Sequence, residues 1–259
     1  MVSESLSSHE ENAVTFEPWQ WAVAIVGGVI VGVSKTGVPG LGILSVALFA
    51  QIMPAKESTG LVLPLLIFAD VISVSFYRRH AQWAHLWRLL PWATAGVVAG
   101  YVTMGKIDDS QARLLIGIVL VALVGAQFAR RLRSRASEPE HGWWFAPLVG
   151  ILLGFTTLVS NAAGPLMATY LVAMGLPKME FAGTAAVFFF ILNLIIKTPF
   201  MVQLGLITEP SLVVNLMLTP AVLAGALLGR LILVRINQAL FEYISLGLAA
   251  AAGIRLLMV

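Results

Sequence analysis

Residues 19–51 read WQWAVAIVGGVIVGVSKTGVPGLGILSVALFAQ. Two apolar runs, Trp19–Ser34 and Leu41–Gln51, flank a break of mostly small residues, SKTGVPGLG, from Ser34 to Gly42. One bilayer-spanning helix needs roughly 20 apolar residues, so two crossings and a turn need about 40. This stretch is shorter than that. The pair is therefore a hairpin that turns inside the membrane, or a full helix followed by a half helix. Non-helical backbone at that depth survives only where protein buries it or where it lines an aqueous cavity. The break thus points to a helical membrane protein and also marks the first place to look for function.

Composition agrees. Of 259 residues, 59% are hydrophobic and only 11% charged, against about 25% charged in soluble domains. Too few polar residues remain to clothe an outer surface, so lipid is the expected solvent. The net charge of +3 forms no basic stripe interleaved with aromatics, and nucleic acid is not an expected partner. With no cysteine, disulfides, thiolate metal sites and cysteine nucleophiles are excluded. The histidines, His9, His80, His85 and His141, lie outside the apolar segments, which argues against a buried metal or haem. No HExxH, Walker loop, intramembrane Ser–His pair or paired catalytic carboxylates occur, so no enzyme and no cofactor are expected. Residues 1–18 are acidic rather than basic at their start, which makes the first apolar run a retained membrane element rather than a cleaved signal.

Further apolar segments are Ser58–Tyr77, Trp87–Met104, Ala112–Phe128, Trp143–Val159, Phe181–Val202, Leu212–Val234 and Ala239–Met258. A second short run, Leu166–Ala173, follows a second break, SNAAGP, from Ser160 to Pro165. Alternating these elements across a bilayer places Arg78, Arg79, Arg88, Arg130, Arg131, Arg133, Arg135, Lys178, Arg230 and Arg235 on one side. The other side collects Lys56, Lys106, Arg113 and Arg255. The positive-inside rule makes the first side cytoplasmic. The expectation is a multi-pass protein of the inner (plasma) membrane with both termini extracytoplasmic. Trp19, Trp21, Trp83, Trp87, Trp143 and Trp144 fall at segment ends, where indoles favour the interface; Trp92 lies deeper.

The chain also repeats. Gly28, Gly32 and Gly42 match Gly150, Gly154 and Gly164 at one offset. After a one-residue insertion Pro54, Gly60 and Asp70 match Pro177, Gly183 and Asn193. Gly96 and Gly100 match Gly225 and Gly229, and pairs of this kind suit close helix packing, within one chain or between chains. The expected organisation is an extracytoplasmic tail 1–18, repeat 1 over 19–133, a cytoplasmic linker 134–142 and repeat 2 over 143–259. Five elements per half, an odd number, would insert the halves in opposite senses. Inverted repeats with paired broken helices are a recurring transporter design, with the site at the midplane. The fold class is therefore all-α integral membrane: two inverted five-element repeats with paired broken or re-entrant helices.

A half helix leaves its first amides unpaired, and with the helix dipole they suit an anion. Gly37–Gly40 precede one such start; Asn161–Pro165 precede the other. Two plain tight turns for packing are the simpler alternative. Lys35 lies in the first break, and its repeat counterpart is Thr157, so its charge is no symmetric structural need. It either serves the site or snorkels to the interface. Asp70 must pair, protonate or meet water; it could carry a coupling proton, balance Lys35, or make a packing hydrogen bond helped by Ser73. Lys197, one turn past Asn193, either lines the pathway or snorkels past Phe200. The candidate substrate contacts are Lys35, Thr36, Gly37, Gly40, Ser160, Asn161, Ala162, Gly164, Thr184 and Asn193, with Asp70 for proton coupling and no metal. Expected partners are the lipid bilayer, a small anionic substrate and a coupling proton.

GVSKTGVPGLGILSVAL resembles the first Gly-rich motif of the sulfite exporter TauE/SafE family, also called the toluene sulfonate uptake permease family. GFTTLVSNAAGPLMATYLVAMGLPKMEFAGTAAVFFFILNLIIKTPF resembles the family's second-half motif, with Asn161-Ala162-Ala163 in place of a glycine cluster. YRRHAQWAHLW resembles its basic, aromatic cytoplasmic loop. The resemblance covers nearly the whole chain after Pro18 and implies movement of small anions such as sulfite or organosulfonates. Transport of a carboxylate or another small acid is the alternative within transport. A non-transporting membrane enzyme or scaffold is the alternative outside it.

Overall fold

In the computed structural model, residues 16–103, 118, 121, 122, 125 and 143–258 are described. All regular structure among them is helical. The first half contributes α1 (Pro18–Thr36), α2 (Gly42–Ile52), α3 (Ala55–Tyr77) and α4 (Trp83–Thr103). The second contributes α5 (Phe145–Ser160), α6 (Gly164–Ala173), α7 (Lys178–Phe190), a π-helical turn (Ile191–Lys197), α8 (Thr198–Gln203), α9 (Glu209–Arg235) and α10 (Gln238–Met258). The expected Ala112–Phe128 segment, the tail and the linker lie largely or wholly outside the described residues.

Local chemistry sets the boundaries. A Glu17–Gln20 capping box and Pro18 in the first turn start α1, an arrangement that satisfies otherwise unpaired amides. Gly40, at φ +94°, turns the chain between α1 and α2 through a region that glycine enters without steric cost. Asn161, at φ 56°, closes α5 in the left-handed conformation, and Pro165 opens α6. The matched prolines Pro54 and Pro177 stand just before α3 and α7. Among the described residues, four helical stretches are long and apolar enough to cross a bilayer: Pro18–Thr36, Glu57–His80, Lys178–Gln203 and Glu209–Arg235. The outer surface is apolar to match, with Leu212, Val213, Leu216, Met217, Leu228 and Val234 exposed along α9 alone. Trp19, Trp83, Trp87, Trp143 and Trp144 are exposed at helix ends, in keeping with interfacial anchoring.

The halves make equivalent contacts. First-half α4 packs along second-half α5, and second-half α9 packs along first-half α1; these are the two most extensive interfaces among the described helices. Glycine makes both possible. A Cβ on Gly154 would stand 1.9 Å from the Ala93 carbonyl oxygen, and one on Gly96 would stand 2.1 Å from that of Ile151. Across the other interface, a Cβ on Gly32 would meet the Val222 oxygen at 2.2 Å and one on Gly225 the Val29 oxygen at 2.0 Å. These backbones touch within one chain, which settles where the paired glycines act. The matched Gly60 and Gly183 also correspond, one lying against the Leu206 backbone after α8 and the other against Tyr77–Ala81 after α3. The described core has two clusters, one including the α4–α5 seam and the other the α1–α9 seam.

Candidate functional site

The two helix breaks meet inside the bundle. A Cβ on Gly164, at the start of α6, would lie 3.7 Å from the backbone nitrogen of Gly40. Around this junction is a cavity lined by Ser34–Gly37, Pro39 and Gly40 from the first break, and by Thr157, Asn161 and Gly164 from the second. Phe181, Ala185, Phe189 and Asn193 close it from α7 and the π turn. It gives about 60 Å³ to the centres of water-sized groups, and one such group needs roughly 10–15 Å³. The cavity therefore has room for several water-sized groups.

Both breaks expose the carbonyls that end their first helix, and α3 and the π turn supply the donors. Ser73 donates its hydroxyl to the Lys35 carbonyl (2.8 Å), and Tyr77 donates to that of Thr36 (2.8 Å). Thr36 in turn donates to Ala226 on α9 at 2.6 Å. In the second half Lys197 takes the equivalent part: its ammonium donates to the Thr157 carbonyl, at the repeat position of Lys35, and to Asn161 Oδ1. A cation at a helix C-terminus also opposes the negative end of the dipole. Asn161 Nδ2 donates to the Thr59 carbonyl at 3.0 Å, so one side chain ties the second break to α3 and to the π turn.

Lys35 turns inward rather than snorkelling. Its Nζ lies 2.8 Å from Asp70 Oδ1 and 4.2 Å from the centre of the Phe189 ring. Asp70 is fully buried, and its Oδ2 accepts from Asn193 Nδ2 at 2.7 Å. Asp70 thus balances Lys35 and also accepts a packing hydrogen bond from Asn193, while Ser73 bonds elsewhere. Asn193 Oδ1 is buried without a hydrogen-bond partner, and Asn193 lines the cavity. That oxygen can accept from water or from a proton on a bound solute.

Seven expected contacts, Lys35, Thr36, Gly37, Gly40, Asn161, Gly164 and Asn193, line one cavity. Three do not. Thr184 is buried beside the α3–α4 turn, where its hydroxyl accepts from the Gln82 amide at 2.9 Å. Ser160 bonds back to the Thr156 carbonyl at 3.1 Å. Ala162 stands outside the lining. Lys197, left open between pathway and interface, is 0% exposed, and the snorkelling alternative falls. Lys35 is therefore not the lone cation at the breaks. The missed signal was a lysine one turn from Asn193 whose repeat position holds Val74.

An apolar-surfaced helical bundle with two broken helices meeting at a charged internal cavity defines a class, the polytopic membrane proteins that handle small polar solutes within the bilayer. The sulfite exporter TauE/SafE family model matches residues 23–256. The chain belongs to that family, one of membrane transporters and not of enzymes. Comparison with curated proteins and with solved structures gives no match.

Proposed function

We propose that this transporter carries a small oxyanion, sulfite or an organosulfonate, by secondary transport, and binds it between the starts of α2 and α6. The observation that carries the reading is Lys35, an inward-facing ammonium at the cavity formed by both breaks. An anion leaving water loses hydration at an effective cost of several kcal/mol. Helix-start amides offset part of it, each end by at most about 2 kcal/mol. A full cation in a poorly screened site offsets more. Thr36, Gly37, Gly40, Asn161, Gly164 and Asn193 supply the surrounding polar surface.

Asp70 gives this site a coupling device. While ionised it holds Lys35 by an ion pair at 2.8 Å and competes with the incoming anion. A proton on Asp70 weakens that pair and frees Lys35 for a second negative charge, so a proton would travel with a dianion. The two halves act as inverted repeats. Support comes from their equivalent interfaces and from Asp70 and Asn193, repeat counterparts that touch each other. Counterparts in contact lie next to a two-fold axis.

The test is flux of radiolabelled sulfite, methanesulfonate and acetate into proteoliposomes, with and without a proton gradient. Sulfite and methanesulfonate uptake that exceeds acetate uptake, with sulfite uptake responding to the gradient, supports the reading. Preference for acetate would shift it to a carboxylate permease. Absence of flux for all three would overturn it.

A further inference from the structure

Resting on that anion-transport reading, we infer that Lys197 is a second fixed cation of the same site, and that the site therefore takes up one net negative charge per cargo. Lys197 is fully buried, and its ammonium is held by Thr157 and Asn161, both of which line the cavity. Lys35 forms its ion pair with Asp70. Among the described residues no carboxylate pairs with Lys197. Its two partners are both acceptors at the C-terminal end of α5, an environment that suits an ammonium.

The charge count follows. Lys35 and Lys197 against an ionised Asp70 leave one positive charge in a poorly screened interior. A monoanion such as a sulfonate or hydrogensulfite neutralises it. A dianion leaves an excess negative charge unless a proton joins it, on the anion or on Asp70. Either route loads one net negative charge. The repeat alone does not supply this value, because Lys35, Asp70 and Lys197 stand opposite Thr157, Asn193 and Val74.

The experiment compares binding of methanesulfonate, singly charged across the working pH range, with binding of sulfate, doubly charged over it. Purified protein in detergent is titrated calorimetrically at neutral pH, and proteoliposomes on a solid-supported membrane report current. The parent should bind methanesulfonate at least about tenfold tighter than sulfate, the scale of one unit charge at close range in a weakly screened site. Inward substrate gradients should carry negative charge inward. Lys197→Met, which keeps the length of the side chain, should lose methanesulfonate affinity by about tenfold or more. Asp70→Asn, which adds a net positive charge, should shift preference toward sulfate by a similar factor. Asp70→Asn stands independently if Lys197→Met fails to give monodisperse protein. Equal parental affinity for the two anions would overturn the charge count and leave anion transport intact. So would an unchanged sulfate-to-methanesulfonate ratio in Asp70→Asn. No binding of methanesulfonate, sulfate or sulfite by the parent would overturn both readings together.

Discussion

Replacing Lys35 with alanine separates what the ion pair does for folding from what the cation does for transport. In the folded protein Asp70 is 0% exposed, and its carboxylate rests on Lys35 at 2.8 Å and Asn193 at 2.7 Å. Lys35→Ala leaves that carboxylate with the Asn193 amide alone among its short contacts. Breaking a buried pair from one side costs about 3–5 kcal/mol, because the other charge stays buried. The Lys35 side chain is 13% exposed, so water can follow the deletion into the cavity, and Asp70 can take up a proton. Both escapes favour the lower end, about 3 kcal/mol. At roughly 2–4 °C per kcal/mol for a chain of this size, the apparent unfolding midpoint should fall by about 6–12 °C. Removing both charges leaves no stranded ion and is near neutral, so Lys35→Ala/Asp70→Asn should regain most of the loss. Tryptophan fluorescence of detergent-solubilised protein at one scan rate measures this, since midpoints of irreversible unfolding depend on rate. Transport should stay low in both variants. A single variant as stable as the parent, or a double variant no better than the single, would refute the buried-pair reasoning. Parental flux in the stable double variant would remove Lys35 from the site.

Other substitutions test other links. Asp70→Asn should retain sulfite uptake at neutral pH but lose its dependence on an imposed proton gradient; undiminished dependence would place the coupling proton elsewhere. Gly154→Val should abolish monodisperse protein on size exclusion, because its first side-chain carbon would already stand 1.9 Å from the Ala93 oxygen, whereas Gly175→Ala, with open space at its Cβ but φ +70°, should cost only about 1 kcal/mol. Glu17→Cys should react with an impermeant thiol reagent on intact cells and His80→Cys should not, given the proposed orientation; the reverse pattern would invert the topology.

Helix positions were legible because each rests on local signals. Proline and glycine punctuate the chain at Pro54, Pro177 and Pro165, and the apolar runs carry the rest. The two breaks were legible from length alone, since neither pair can cross a bilayer twice. Side-chain pairing was less so. The direction of Lys35 depends on whether α3 brings Asp70 within reach, a contact across 35 positions of sequence that no local pattern encodes. Lys197 was harder still. Its place follows from a π turn over Ile191–Lys197, which widens the helix and re-aims the residues beyond it. An α-helical reading of the same sequence puts Lys197 one turn below Asn193 but does not say which way it faces. Thr184 shows the opposite case: a polar residue in an apolar run reads as a pathway contact, and the fold gives its hydroxyl a backbone amide to accept from.

The π turn also bears on how a symmetric scaffold carries an asymmetric charge set. Its counterpart in the first half is α3, which stays α-helical from Ala55 to Tyr77 and holds Asp70. There the broken-helix carbonyls are met by the neutral hydroxyls of Ser73 and Tyr77. In the second half a lysine meets them instead, reaching the Thr157 carbonyl from within the π turn. The same structural need, capping a helix that ends at a break inside the bundle, is thus answered without charge on one side and with charge on the other. In the proposed inverted arrangement, alternating access exchanges the conformations of the halves, and only groups near the axis keep their neighbours as that happens. Asp70 and Asn193, repeat counterparts in contact, would lie at that axis. Lys35 pairs directly with Asp70, and Lys197 is tied to the break on the other side. The charges would then stay with the cargo through the cycle, while the outer glycine seams of α1–α9 and α4–α5 move the surrounding helices as paired units.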